Sequence, residues 1–420
     1  MNPTHCLNSR NDCVKLCPSD TCTGSQITNE FTGKAAVAEG EWKIGVLFSK
    51  TGVTAGAETS ELNAAILAIE EINAAGGVLG RNLNAIHYDP GCSPPKYQEY
   101  AIRLLKEDRV RIVFGCYMSS ERKVVLPQIE AFRGLLFYPT FYEGFEYSSR
   151  CFYGGAAANQ NAVALAKYLI EKFGSRFLLV GSNYVFPREY NRVISELVEL
   201  SKGEVVDEIY VPVESTAEDF EKIIKSIKVH APDVIVSTVV GTGSQQLFES
   251  FHAAGLNPRD TPIASLTMTE AEVSNVLPEI VAGHLTSASF FENLDLPEAR
   301  RFVAAFKERF GASAPITSSA EAVYCQVHLF AKALALAGDD DPELIAKHLR
   351  GMEFDAPQGR IRIDPDNHHT ELWSRIARIN EAGQFDIVWQ SENRIRPDVY
   401  FVTSSCESRH TPEAQSNYGM

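Results

Sequence analysis

Residues 111–147 read RIVFGCYMSSERKVVLPQIEAFRGLLFYPTFYEGFEY. An apolar run, Ile112-Val113-Phe114, ends at Gly115, and residues 116–120 form a loop. Val124, Val125, Ile129 and Phe132 then recur at the spacing of one helix face. A second apolar run, residues 135–138, stops at Pro139-Thr140. The stretch predicts strand, loop, helix, strand: one βαβ unit. Runs that are apolar throughout, without alternation, suit parallel strands covered on both faces. In such sheets small ligands bind beyond the carboxyl ends of the strands. Tyr117, Ser119 and Ser120 follow the first strand end; Tyr138, Thr140 and Tyr142 follow the second. Ser119 or Ser120 is suited to cap the helix, whose free N–H groups then face the same crevice. Alone, the serines read as caps. The whole cluster at two strand ends reads as a pocket.

Outward from this unit the alternation continues. Upstream, strands are expected at 43–48 and 83–88, with helices at 58–75 and 95–108. Downstream, helices are expected at 159–173, 188–201 and 219–230, and strands at 177–181, 205–211, 233–238 and 263–267. Strict β–α alternation predicts an α/β fold of doubly wound parallel sheets. So many strands exceed an ordinary single sheet, so two lobes are expected. The chain should cross back near 283–291. Helices at 316–336 and 342–350 then rejoin the first lobe, and strands at 361–363 and 374–379 the second. The expected division is 42–156 plus 289–355 for lobe 1, and 157–288 plus 356–403 for lobe 2. Residues 1–41 read as a disordered polar extension and 404–420 as a loose tail.

Composition narrows the function classes. The 420 residues are 45% hydrophobic and carry a formal charge of -15, which argues against a nucleic-acid-binding face. No apolar run is long enough to span a bilayer. Residues 1–41 contain no apolar signal segment, so the expected location is cytoplasmic, or periplasmic if the start codon is misassigned. Of nine cysteines, Cys6, Cys13, Cys17 and Cys22 crowd the N-terminal region without a CxxC; the odd total suits reduced thiols. Gly241-Thr242-Gly243 lacks the rest of a dinucleotide fingerprint and no P-loop occurs, so no cofactor is expected. His368-His369 is expected on a surface loop rather than at a metal, because adjacent strand side chains diverge. Cys116 has no histidine in any strand-end loop to act as its base, so no enzyme is expected.

The strand-end loops are uncharged at Tyr117, Ser119, Tyr138, Thr140, Tyr184, Val239, Thr267 and Thr269. A free amino acid needs a carboxylate to meet its ammonium group. A small neutral polar molecule needs hydroxyls, backbone groups and aromatic walls, which these loops supply. Glu143, Glu146 and Arg188 are the nearest charges, outside the cleft or across its rim.

Glu71-Ile72-Asn73 followed by Gly76-Gly77-Val78-Leu79-Gly80-Arg81 resembles the first helix-to-strand turn of type I periplasmic binding proteins of the Leu/Ile/Val-receptor class. Within that family, segments 115–119, 138–147, 237–243 and 264–267 resemble the amide-sensing negative regulators of aliphatic amidase operons. Their relatives are the urea-binding proteins of ABC importers. The resemblance covers residues 42–402. It implies a clamshell of two lobes joined by a three-strand hinge, with a short amide or urea between them. It implies ligand contacts from Tyr117, Ser119, Tyr138, Pro139 and Thr140 in one lobe and Tyr184, Phe186, Val239 and Thr267 in the other. It further implies a sensor acting through an RNA-binding antiterminator partner, with an importer's receptor as the alternative; a homo-oligomer is compatible with both. Phe186 departs from the family's Tyr, apolar, Tyr, Pro pattern, and the lost hydroxyl leaves the choice of ligand open.

Overall fold

The computed structural model describes residues 40–401. The four N-terminal cysteines, nearly all of the expected extension and the whole expected tail lie outside the described residues. The chain runs β1 (Trp42–Leu47), α1 (Ala55–Ala74), β2 (Leu83–Tyr88), α2 (Pro94–Lys106), β3 (Ile112–Gly115), α3 (Ser119–Ala131), β4 (Leu135–Tyr138) and β5 (Cys151–Tyr153). Next come α4 (Ala158–Lys172), β6 (Arg176–Ser182), α5 (Val185–Leu200), β7 (Glu204–Val211), α6 (Glu221–His230), β8 (Val234–Thr238), α7 (Thr242–Ala253), β9 (Ile263–Ser265), two single turns α8 (Glu270–Val273) and α9 (Pro278–Val281), and β10 (Leu285–Ala288). The last part is α10 (Pro297–Phe310), α11 (Ser318–Ala337), α12 (Pro342–Leu349), β11 (Glu353–Ala356), β12 (Gly359–Ile363), β13 (Thr370–Glu371), β14 (Arg375–Ile379) and β15 (Phe385–Gln390).

The first sheet has the order β2-β1-β3-β4-β5 and is parallel throughout. Its central strands are buried on both faces, as their unbroken apolar runs require. Phe114 stacks on Phe137 at 4.6 Å, and Phe137 on Phe152 at 5.5 Å. The second sheet has the order β15-β14-β10-β9-β8-β6-β7. It is parallel from β10 to β7, with β14 and β15 antiparallel at one edge. Read from β7, its parallel part repeats the first sheet's order. Each lobe thus has a topological switch point: β1/β3 in the first, β6/β8 in the second.

The chain passes between lobes three times: after β5, after β10, and between β13 and β14. At the first passage Gly155 runs against the 140–141 backbone. A Cβ there would lie 2.1 Å from the Thr140 carbonyl carbon, so no other residue fits. The helices α10, α11 and α12 return to the first lobe, where α11 covers α1 and Val323, Val327 and Phe330 join Ala64, Ala65 and Ala68 in one core.

Three expectations are corrected. Residues 361–363 do not join the second lobe. β12 pairs with β11 and β13 in a small antiparallel sheet, and Ile361, Ile363 and Leu372 sink into the first lobe's core. The boundary expected at 356 therefore falls after Leu372, and β14 and β15 alone of the late strands extend the second sheet. His368 and His369 are not on a surface loop. Both are buried, His369 stacked on Tyr153 at 4.0 Å and His368 on Phe152 at 4.5 Å. Burial lowers both imidazoles to about 4, so they are neutral ring surfaces. Finally β5 and β15 were not anticipated; three residues are too few to show a period, whereas Phe385, Ile387 and Trp389 do alternate. No helix among the described residues is long and apolar enough to cross a membrane.

Candidate functional site

The two switch points face each other. From the first lobe come the loop after β3, the loop after β4 and the start of α1; from the second come the loops after β6, β8 and β9. Between them is a crevice in two compartments. The smaller holds about 210 Å³ of empty space and is walled by Tyr117, Ser119, Thr140, Tyr184, Phe186 and Thr267, with Phe141 and Val240. The larger holds about 560 Å³ and is reached by Pro139, Thr269, Ser287, Ser289 and Ser319. Tyr117 and Phe141 wall both, so the compartments adjoin. The lobes touch across the crevice. Ala57, Tyr117 and Met118 pack on Val240 and Ala271, and the Thr242 N–H donates to the Val53 carbonyl at 3.2 Å.

Seven of the nine residues expected at the site line this crevice: Tyr117, Ser119, Pro139, Thr140, Tyr184, Phe186 and Thr267. The Tyr117 and Tyr184 hydroxyls, one from each lobe, have no hydrogen-bond partner among the described residues, and burial keeps both phenols protonated. Ser119 is less free. Its Oγ donates to Glu143 Oε2 at 2.5 Å and accepts from Arg122 Nη1 at 3.2 Å. Phe186 sets its ring edge-to-face on Phe141 at 5.3 Å. Thr269 Oγ1 accepts from the Ala271 N–H and shapes the α8 turn.

Two of the nine stand behind the wall. Tyr138 is wholly buried and donates through its hydroxyl to the Tyr117 carbonyl at 2.8 Å. It holds the loop that carries Tyr117. Val239 is likewise buried, and its carbonyl accepts from Thr267 Oγ1; Val240 reaches the cavity instead. The charges named at the rim also find places. Arg122 is wholly buried, 3.1 Å from Glu143 and 2.8 Å from Glu146, under the rings of Tyr138 and Tyr142. Arg188 is turned away, bonded to Asn183 at 2.8 Å and set over Tyr210.

Sequence reasoning missed the buried carboxyls. Glu58 and Glu61 lie on α1 and Glu121 on α3, all wholly buried. Glu58 accepts from the Ser49 N–H at 2.6 Å, Thr54 Oγ1 at 2.7 Å, Cys92 Sγ at 3.4 Å and the Tyr97 hydroxyl. Glu121 Oε2 accepts from the N–H groups of Tyr117 and Met118 at 2.9 and 2.8 Å, while its Oε1 has no partner. Glu61 has one long bond, from Thr140 Oγ1 at 3.3 Å, and its Oε2 has none. Burial first, and then mutual repulsion, raises Glu61 and Glu121; burial raises Glu58. Among the described residues none of the three has an ion-pair partner. Glu272, across the crevice, is pushed up to about 7 by burial. The signal was present. Glu58 and Glu61 share the helical stripe of Leu62, Ala65 and Ile69, so they face inward with them.

Ligand atoms of Glu58, Cys92 and Glu121 lie within 4.8 Å of one another. Four donors already fill the four acceptor sites of Glu58, and burial pushes the Cys92 thiol up to about 12. This is a hydrogen-bonded brace rather than a metal-ligand set.

Comparison with known proteins agrees with this architecture. The family described as "Periplasmic binding protein domain" matches residues 42–406. The Leucine-, isoleucine-, valine-, threonine-, and alanine-binding protein of Pseudomonas aeruginosa is 23% identical over 328 residues, 77% of this chain and 85% of that protein. A solute-binding protein of an ABC transporter from Rhodopseudomonas palustris BisB5, solved with 3,4-dihydroxybenzoic acid, superposes with a TM-score of 0.78 at 19% identity, covering 85% of this chain and 99% of that one. Limonene hydroxylase of Geobacillus stearothermophilus is 38% identical over 114 residues, and the chain spans 21% of its length. The relatives that match over most of their length are substrate-binding proteins. With matching strand order in both lobes, three passages between them and a family match across the described residues, the chain belongs to the periplasmic binding protein family.

Proposed function

We propose that this protein is a non-catalytic receptor for a short aliphatic amide or urea, and that it reports occupancy to an RNA-binding antiterminator of an amidase operon. The observation that carries the ligand class is electrostatic. The first lobe buries three carboxyls at the crevice with no cation to balance them, while Arg122 is taken by Glu143 and Glu146. A ligand carboxylate, of the kind the names of the relatives imply, finds no free cation there to balance it, and burying an unpaired charge is costly. A neutral molecule rich in N–H groups meets acceptors and the two free phenol hydroxyls. The smaller compartment suits a molecule of few atoms. Catalysis is disfavoured because burial, Glu121 and Glu58 hold the Cys116 thiol well above its usual range, which denies it thiolate character.

Calorimetry on the purified protein with acetamide, urea, leucine and 4-hydroxybenzoate tests the ligand class. Binding of acetamide or urea, with no ammonia released, is expected. Binding of leucine or the benzoate alone removes the proposal. The partner half is tested by co-purification with an RNA-binding regulator, with and without acetamide; a complex that dissolves on adding amide is expected. The relatives' printed roles favour a second reading, delivery of the ligand to an ABC importer. Cell fractionation separates the two, because the sensor works in the cytoplasm and the receptor outside it.

A further inference from the structure

We infer that Glu61 is a ligand-contacting residue whose carboxyl pairs edge to edge with the N–C=O group of the amide or urea. This rests on the amide reading above and adds to it a specific contact and a pH signature.

Three features of the crevice converge on this side chain. Glu61 is wholly buried on α1, yet its Oε2 has no hydrogen-bond partner among the described residues. Leaving a buried oxygen unmatched is costly, and Glu58, one turn earlier, shows what full satisfaction looks like in the same place. Thr140, the one hydrogen-bond donor to Glu61 among the described residues, and Ser319 on the helix packed over it both stand in the crevice walls. Thr140 lines the smaller compartment and Ser319 the larger. Glu61 itself lines neither compartment; its unmatched oxygen lies behind these walls, one side chain from the crevice, and the proposed contact requires the amide to reach past Thr140.

The charge around it fixes its protonation. The titratable groups facing Glu61 are Glu58 on its own helix, Glu121 on α3 and the Tyr117 phenol on the loop before α3; none is cationic. Burial and then Glu58 hold the carboxyl protonated well above its usual range. A protonated carboxyl has one O–H donor and one carbonyl acceptor side by side. A primary amide or urea offers the complement, a carbonyl acceptor and an N–H donor on one edge. Two parallel hydrogen bonds result, and neither partner carries a net charge into the crevice. A ligand carboxylate cannot form this pair, because it has no N–H to give.

The sign of the pH effect follows. The protonated form binds, so affinity is lost as pH rises and Glu61 ionises. Glutamine keeps a donor and an acceptor and does not titrate. The experiment is calorimetry of acetamide and urea on the full chain, for wild type, Glu61→Gln and Glu61→Leu, across the pH range in which each gives a cooperative thermal transition. Wild type is expected to weaken as pH rises. Glu61→Gln is expected to bind within about threefold of wild type at low pH with no pH slope, and Glu61→Leu to lose roughly tenfold to a hundredfold. Wild-type affinity in Glu61→Leu, or the same pH slope in Glu61→Gln as in wild type, overturns the contact and leaves the amide reading intact. A wild type that binds neither amide at any pH overturns the amide reading and the contact together.

Discussion

The two lobes share one strand order but furnish their mouths with different chemistry. At β1/β3 the first lobe buries Glu58, Glu61 and Glu121, with the Arg122–Glu143–Glu146 cluster beside them. At β6/β8 the second lobe is built from neutral groups. Ser182 Oγ accepts from the Val240 N–H at 3.2 Å, Thr238 Oγ1 donates to Asn191 Oδ1 at 3.1 Å, and the Tyr190 hydroxyl donates to Asn161. Topology decides where each mouth opens; side chains decide what enters. The first lobe brings three buried carboxyls to its mouth; the second brings the neutral groups of β6/β8 and, on α8, Glu270 at the larger compartment and Glu272, both raised by burial. A small molecule between them is then oriented by the first lobe and covered by the second.

The largest expected effect tests whether this contrast is energetic. Arg122→Met leaves Glu143 and Glu146 without their buried partner, and breaking a buried ion pair from one side costs about 3–5 kcal/mol. Asn191→Leu in the second lobe removes one neutral hydrogen bond and leaves the Thr238 hydroxyl on the Val180 carbonyl, a loss of about 0.5–1.5 kcal/mol. Guanidinium unfolding of both variants measures this; urea is avoided because it is a proposed ligand. Equal losses would erase the distinction between a charged and a neutral mouth.

A second prediction tests whether the lobes must meet. Gly241 has φ +57 and stands against Val53; a Cβ there would lie 2.1 Å from the Val53 carbonyl oxygen. Gly241→Ala relieves that clash by holding the second lobe away from the first. A ligand shifts closure only by its differential affinity for the two states, so penalising the closed one weakens binding. Calorimetry with acetamide should show roughly tenfold to a hundredfold loss, from strain of about 1–3 kcal/mol. Unchanged affinity would mean that binding does not need the contact.

The contrast between lobes was only half legible in the sequence. Strand ends were readable because β3, β4 and β8 are buried on both faces and so are apolar throughout. Fixing the ends of β3 and β4 fixed Tyr117, Ser119 and Thr140 at the crevice, and the largely buried β6 and β9 did the same for Tyr184 and Thr267. Which face a side chain at a strand end takes was not readable, since one residue of register exchanges faces; Tyr138 turned behind the wall for that reason. The acids were missed because a glutamate in a helix is counted as solvent-facing by default. What buries Glu61 is α11, more than 250 residues later in the chain, whose Ser319 meets it. The late strand β12 was misplaced for a related reason. Ile361 and Ile363 alternate equally well against either lobe, and only the contacts of the folded chain choose.

The smallest effect is the most direct comparison of the two mouths. Tyr117 and Tyr184 each present a hydroxyl with no hydrogen-bond partner among the described residues, one from each lobe. Removing such a hydroxyl strands nothing in the protein, so Tyr117→Phe and Tyr184→Phe should leave thermal stability without ligand unchanged. Any loss then reports the ligand's own bond, about 0.5–1.5 kcal/mol each, or roughly threefold to tenfold in affinity. If one ligand molecule touches both lobes, both variants weaken acetamide and urea, and the double variant weakens them further. The two losses need not add, because each hydroxyl also helps to decide how far the lobes close on the ligand. Should Tyr117→Phe weaken binding while Tyr184→Phe is silent, the ligand rests on the first lobe alone. Closure would then have no ligand contact through Tyr184 to sense, and the division between an orienting lobe and a covering lobe would fail at the point where it matters for signalling.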